Sequence, residues 1–133
     1  MKLVINTDGG SRGNPGPAGI GVVIKNEAGK VLFEKGKCIG STTNNQAEYQ
    51  AVVWAMEKAE ELGGTDLEFR LDSELVVKQL KGEYKVKDAG LAQQFLKIFN
   101  MRNKFKTISF RHVRREFNAQ ADAMVNDALD KGK

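Results

Sequence analysis

Leu3, Val4 and Ile5 follow one another without a polar residue between them, so a strand over Lys2–Thr7 has no face to give to water. Such a strand belongs in the middle of a sheet, covered on both sides, and the remaining patterns must supply neighbours and cover. Asp8–Pro17 (DGGSRGNPGP) reads as a turn-rich loop. Ile20–Lys25 and Val31–Cys38 read as two further strands, joined by a turn over Asn26–Lys30, and the three strands make a meander. Asn44 or Asn45 is placed to cap a helix running to about Leu62, with Ala47, Ala51, Val52, Ala55 and Ala59 as its apolar stripe and Gly63-Gly64 as its stop. Leu67–Leu71 alternates as a strand, and Ser73 caps a short helix through Val76, Val77 and Leu80. Asp88–Asn103 is helical, with Leu91, Phe95, Leu96 and Phe99 as the expected apolar face. Thr107–Val113 is the fifth strand, and Asn118 is placed to cap a last helix through Leu129. The order βββαβααβα, with no repeat and no linker, is that of one α/β domain over 1–133.

Several classes fall away. No stretch approaches the length of a membrane span, and the first residues lack the apolar core of a signal peptide. Cys38 is the single cysteine, so no intrachain disulfide forms and a reducing, cytoplasmic setting is expected. The net charge of +4 permits an acidic partner without demanding one. The charge is uneven: from Lys78 to Lys106 eight Lys/Arg residues stand against Glu83 and Asp88, whereas acids dominate from Glu57 to Glu74. Two solvated faces account for this, and so does a basic strip beside an acidic site that works on a polyanion.

Four acids fall at the ends of elements. Asp8 ends the first strand and Asp72 the fourth; Glu48 and Asp122 lie in the first turns of the long helix and the last helix. If strands one and four are parallel neighbours, Asp8 and Asp72 meet at one sheet edge, where ligand sites of open α/β sheets gather. Glu48 shares a helix side with Val52, Ala55 and Ala59, and Asp122 shares one with Val125 and Leu129, so both acids face partly inward. An unpaired carboxylate there is costly, and a hard divalent cation such as Mg²⁺ removes the cost. Taken singly, each acid also has a structural reading: a charge at a helix N-terminus for Glu48, a cap for Asp72, a turn for Asp8, a surface position for Asp122.

Their joint context is more specific. Thr7-Asp8-Gly9-Gly10-Ser11-Arg12-Gly13-Asn14-Pro15-Gly16-Pro17, Thr42-Thr43-Asn44-Asn45-Gln46-Ala47-Glu48-Tyr49, Leu71-Asp72-Ser73-Glu74 and Arg115-Glu116-Phe117-Asn118-Ala119-Gln120-Ala121-Asp122 resemble, in order and across nearly the whole chain, the four motifs of type 1 ribonucleases H. The resemblance implies a ribonuclease H-like fold, a five-stranded mixed sheet with three antiparallel strands and then two parallel to the first, flanked by helices. It implies an endoribonuclease that hydrolyses the RNA strand of RNA–DNA hybrids with two Mg²⁺ ions, Mn²⁺ as a substitute, and 5′-phosphate and 3′-hydroxyl products. Two cations about 4 Å apart suit an in-line phosphoryl displacement. By the same resemblance Asp8 bridges both ions, Glu48 and Asp72 hold the leaving-group site, and Asp122 holds the site of the attacking water. Ser11, Gly13, Asn14, Asn44 and Asn45 match positions that read the hybrid's minor groove, where 2′-hydroxyls mark RNA. Thr43 with Asn45 matches a pocket for a phosphate of the DNA strand, and Ser73 and Glu74 fall in the substrate-binding set.

Three departures from the family pattern carry consequences. The stretch Gly82-Glu83-Tyr84-Lys85-Val86-Lys87 stands where long bacterial members carry a Trp-rich basic protrusion, so the chain resembles the compact, handle-less form. Glu74 stands where many relatives have Gln. The sole histidine, His112, falls inside a strand pattern, which makes Arg115 the better candidate for ushering product out. Trp54 reads as core or helix surface, and Tyr84 as the better candidate for base stacking. A monomer is expected, with double-stranded RNA as a side substrate. The alternatives are a catalytically weak nucleic-acid-binding module and a nuclease of the same fold acting on double-stranded RNA or DNA.

Overall fold

The computed structural model describes residues 1–132. β1 (Lys2–Ser11) pairs antiparallel with β2 (Gly16–Asn26), and β2 antiparallel with β3 (Val31–Thr42). On its other side β1 pairs parallel with β4 (Asp66–Leu71), and β4 pairs parallel with β5 (Thr107–His112). The order β3-β2-β1-β4-β5 puts the strand with the uninterrupted apolar run at the centre, as its sequence requires.

Four helices follow: α1 (Asn44–Glu61), α2 (Glu74–Leu80), α3 (Ala89–Met101) and α4 (Ala119–Lys131), with 3₁₀ turns at Arg102–Lys104 and Arg115–Asn118. α1 lies over the face of β1 that carries Leu3 and Ile5, and α3 packs on α1. α4 covers the opposite face, the side to which Asp8 and its cross-strand partner Gly21 belong. Trp54 is buried on α1 with Phe33 edge-on at 5.7 Å and the Lys37 ammonium 4.4 Å over its ring, so it is a packing residue.

Glycines set how closely these helices approach. A side chain on Gly9 would run into the Ala47 carbonyl at the start of α1. On the other face, side chains at Gly21 and Gly36 would strike the carbonyls of Ala121 and Met124 in α4. Both helices therefore rest on bare backbone at the end of the sheet where the acids lie.

The structure corrects four expectations. The stretch Asp8–Pro17 is largely strand: β1 continues to Ser11 and β2 begins at Gly16, with Gly9, Gly10 and Ser11 paired to Ile20, Gly19 and Ala18. Paired backbone fixes these residues although their small side chains give no β signal. The cap of α1 is Thr43, whose Oγ1 accepts from the Gln46 N–H at 3.2 Å, and not Asn44 or Asn45. In α3, Leu91 and Ile98 are buried and Phe95 packs against the core, whereas Leu96 and Phe99 are 57% and 54% exposed. The i, i+4, i+7 stripe faces α1, and the other two residues lie to its side. Finally, Asn118 makes no side-chain cap for α4; its carboxamide is buried elsewhere.

Candidate active site

The strands part where the acids stand. The β1–β4 ladder runs from Lys2↔Asp66 to Asn6↔Arg70 and stops. Asp8, in the part of β1 that pairs only with β2, and Asp72, just past the end of β4, then follow on neighbouring strands. Glu48 arrives from the first turns of α1, admitted by the missing side chain of Gly9. One carboxylate oxygen each from Asp8, Glu48 and Asp72 lies within 4.8 Å of the others. Asp122, in the first turn of α4, stands beside Asp8 closely enough to raise the pKa of its carboxyl, and its Oδ2 accepts from Asn126 Nδ2 at 3.3 Å. Three of the four expected acids thus form a tight group, and the fourth attaches to it through Asp8.

Crowding has an electrostatic cost. Loss of water, then the Asp72 charge and the contact with Asp122, push the Asp8 carboxyl up to about 8. Burial, followed by the Asp72 charge, pushes Glu48 up to about 7, against a hydrogen bond from Ser73 that favours its ionised form. At neutral pH Asp8 is mostly protonated and Glu48 about half so, and a divalent cation would displace these protons. An all-oxygen donor set of this kind, partly desolvated, fits a hard divalent cation.

The acids line a cleft of about 480 Å³ with Ser11, Asn44, Asn45, Ser73 and Arg115. The Asn44 Oδ1 accepts from both the N–H and the Oγ of Ser11, at 2.8 and 3.0 Å, while the Asn44 N–H donates to Asn14 Oδ1 at 3.1 Å. This lashes the β1–β2 turn to the start of α1. Asn14 and Thr43 line a second recess of about 410 Å³ that shares Asn44 and Asn45 with the first. Gly13 lies in the turn at φ +93°, a left-handed conformation that glycine tolerates, and lines neither recess.

Besides Gly13, two residues from the sequence reading line neither recess. Glu74 faces solvent and pairs with Lys78 at 3.0 Å; Lys78, which also bonds the Tyr84 hydroxyl and lies 5.0 Å from its ring, holds the Glu74 carboxyl below the usual range. His112, exposed at the end of β5, adds a smaller charge effect on Glu74. Sequence reasoning passed over Asn6 and the true place of Asn118. A polar side chain interrupting the apolar run of β1 was a usable signal for the first. The pair Gly19 and Gly21, two apart on one strand, was a signal for close backbone approach.

Comparison with known proteins agrees with this arrangement. The family described as reverse transcriptase-like matches residues 6–128. The bifunctional protein Rv2228c of Mycobacterium tuberculosis is 42% identical over 131 residues, which are 98% of this chain and 36% of that protein. This chain thus spans about a third of that relative's length. The crystal structure of ribonuclease H1 from the halophilic archaeon Halobacterium salinarum superposes with a TM-score of 0.96 at 42% identity, covering 98% of this chain and 99% of that one. LC11 ribonuclease H1 in complex with RNA/DNA hybrid superposes with a TM-score of 0.94 at 47% identity, with 98% of each chain covered.

Proposed function

This chain belongs to the ribonuclease H1 family, and from that premise we propose that it hydrolyses the RNA strand of RNA–DNA hybrids with divalent metal, leaving 5′-phosphate and 3′-hydroxyl ends. The observation that carries the reading is the convergence of Asp8, Glu48 and Asp72 within 4.8 Å, in a cleft whose other wall is Ser11, Asn44 and Asn45.

Asp8, Glu48, Asp72 and Asp122 would hold the metal, with Asp8 central. Bound there, a pair of Mg²⁺ ions, or Mn²⁺ in their place, supplies the charge that activates water and stabilises the leaving oxygen. The chain's own residues do the rest. Ser11, Asn14, Asn44 and Asn45 present donors and acceptors to the minor groove, where ribose 2′-hydroxyls distinguish the strand to be cut. The recess of Thr43, Asn14 and Asn45 receives a phosphate of the uncut strand, which fixes register. The Thr43 hydroxyl already caps α1, so its remaining proton is what it offers there. Ser73 accepts the cap bond of α2 from Val76 at 3.3 Å and turns its proton to Glu48. Arg115, in the cleft wall, meets the departing 5′-phosphate. α2 passes to α3 through a short irregular stretch without a protrusion, so affinity rests on dispersed cations such as Lys85 and Lys87. All these groups come from one chain, consistent with action as a monomer. Among the described residues no helix is long and apolar enough to cross a membrane.

The test is cleavage of an end-labelled RNA–DNA hybrid in Mg²⁺, Mn²⁺ or Ca²⁺, beside RNA–RNA and DNA–DNA duplexes. Cutting of the hybrid's RNA strand in Mg²⁺, abolished by Asp8→Asn, is expected, with double-stranded RNA cut more slowly. Binding without cutting, or equal cutting of DNA duplex, overturns the proposal.

A further inference from the structure

Asn118 is 1% exposed, and its carboxamide is used at both ends. Its Oδ1 accepts from Asn6 Nδ2 at 2.9 Å. Its Nδ2 donates to the Thr7 carbonyl at 2.9 Å and reaches Asp72 Oδ2 at 3.5 Å. Asn6 Nδ2 also stands 3.5 Å from the Phe117 carbonyl. These contacts fill the gap left where the β1–β4 ladder ends at Asn6↔Arg70, between the ends that carry Asp8 and Asp72.

We infer that Asn6 and Asn118 form a positioning pair: Asn6 holds the Oδ1 end of the Asn118 carboxamide in place, and Asn118 holds the Asp72 carboxylate and the Arg115–Asn118 turn against β1. The inference rests on the function proposed above.

Donors and acceptors set the orientation of this carboxamide. An Asn side chain is nearly symmetric in shape, so its neighbours decide which end is which. With Asn6 donating from one side, the Oδ1 of Asn118 must face Asn6. Its NH₂ then faces the Thr7 carbonyl and the carboxylate, both of which only accept. Without the Asn6 donor the buried Oδ1 of Asn118 loses its partner, and only the Thr7 carbonyl and Asp72 still hold the amide in this orientation. A buried acceptor left without a donor is costly, so the carboxamide would shift away from Asp72 in search of one. The turn that Asn118 anchors leads directly into α4 and Asp122, so the same pair ties the fourth acid to the strand that carries the first.

The experiment uses Asn6→Val, Asn118→Ala, Asn118→Asp and the double variant Asn6→Val/Asn118→Ala, each checked for folding by circular dichroism. Steady-state cleavage of hybrid in Mg²⁺ separates kcat from KM, and calorimetric titration with Ca²⁺, without substrate, reads the acidic site directly. Asn118→Ala should lower kcat and weaken Ca²⁺ binding by roughly 10- to 100-fold, the usual effect of losing a group that orients metal ligands. KM for hybrid should stay within about threefold, since neither side chain lines the substrate recesses. Asn118→Asp should be worse than alanine, because it sets a further carboxylate against Asp72. Asn6→Val keeps a good strand former and should lower kcat about fivefold, with no further loss in the double variant, because Asn6 acts through Asn118. Wild-type kcat and Ca²⁺ affinity in folded Asn118→Ala, or multiplicative losses in the double variant, overturn the inference. If Asn118 variants do not fold, Asn6→Val alone decides, and wild-type behaviour in it has the same force. If the parent protein binds Ca²⁺ but cuts no hybrid, the proposed function has failed, and the Ca²⁺ titrations still judge the pair.

Discussion

Replacing Asp8 by Asn should stabilise the metal-free protein. Asp8 has an ordinary value of 3.8 and is lifted to about 8 by burial and by the charge of Asp72. Its folded-state value lies above its unfolded one, so the folded chain holds the proton more tightly. Stability is therefore greatest at low pH and is lost as pH rises from about 4 to about 8. At about 1.4 kcal/mol per pKa unit, the whole lift would correspond to roughly 6 kcal/mol. That is a ceiling, because Glu48 shares the same crowding and adjusts its own proton when Asp8 ionises. The replacing amide keeps a desolvation cost of about 1–3 kcal/mol. A net gain of about 2 kcal/mol at pH 8.5 in EDTA is expected. Urea denaturation of both proteins at pH 5, 7 and 8.5, in EDTA and in saturating Mg²⁺, measures it. The gain should shrink steadily toward pH 5. Mg²⁺ at about 100 times its Kd should stabilise the parent by about 3 kcal/mol and the variant by less, narrowing the gap. If Asp8→Asn destabilises the EDTA-treated protein at pH 8.5, or gives a gain independent of pH, the crowded-acid account is wrong.

Four further outcomes are expected. Arg115→Ala should lower kcat more than it raises KM while His112→Ala stays mild, because only Arg115 lines the cleft; single-turnover and steady-state rates on labelled hybrid decide, and the opposite ranking sinks the assignment. Lys85→Ala with Lys87→Ala should raise KM and flatten its dependence on salt, as fewer counterions are released; an unchanged slope places the basic contact elsewhere. Gly36→Ala should cost about 3 kcal/mol or more by urea titration, because the methyl group meets the Met124 carbonyl of α4; a neutral result would mean that α4 shifts freely. Thr7→Val should stabilise by about 1 kcal/mol, since its buried hydroxyl finds no partner among the described residues and valine has nearly the same shape.

The element order and the central place of β1 were legible in the sequence, because Leu3-Val4-Ile5 and the capped apolar stripes each allow few alternatives, while the mixed sheet was implied by the resemblance to type 1 ribonucleases H. The acids were legible as a set through their motifs, and Asp8, Glu48 and Asp72 do converge. What escaped depends on contacts distant in sequence. The glycine-rich end of β1 is strand because β2 pairs with it, not because its side chains prefer to be. Leu96 and Phe99 are as apolar as Leu91 and Ile98, and only the direction of α1 decides which pair is buried. Asn118 had the spacing of a cap, but a buried carbonyl on Thr7 claimed it.

The Asn6–Asn118 contact spans 112 positions of sequence. Closing so long a loop is entropically unfavourable until the intervening sheet is in place, so this contact belongs among the late events of folding. A chain emerging from the ribosome meets Asp8 early but completes its acid set only when α4 settles on the glycines of β2 and β3. No half-made or locally frayed form then holds all four acids together. By the same reasoning, exchange of the amides around Asp8 should follow global unfolding, so that loss of metal affinity reports the fate of the entire domain rather than of one loop.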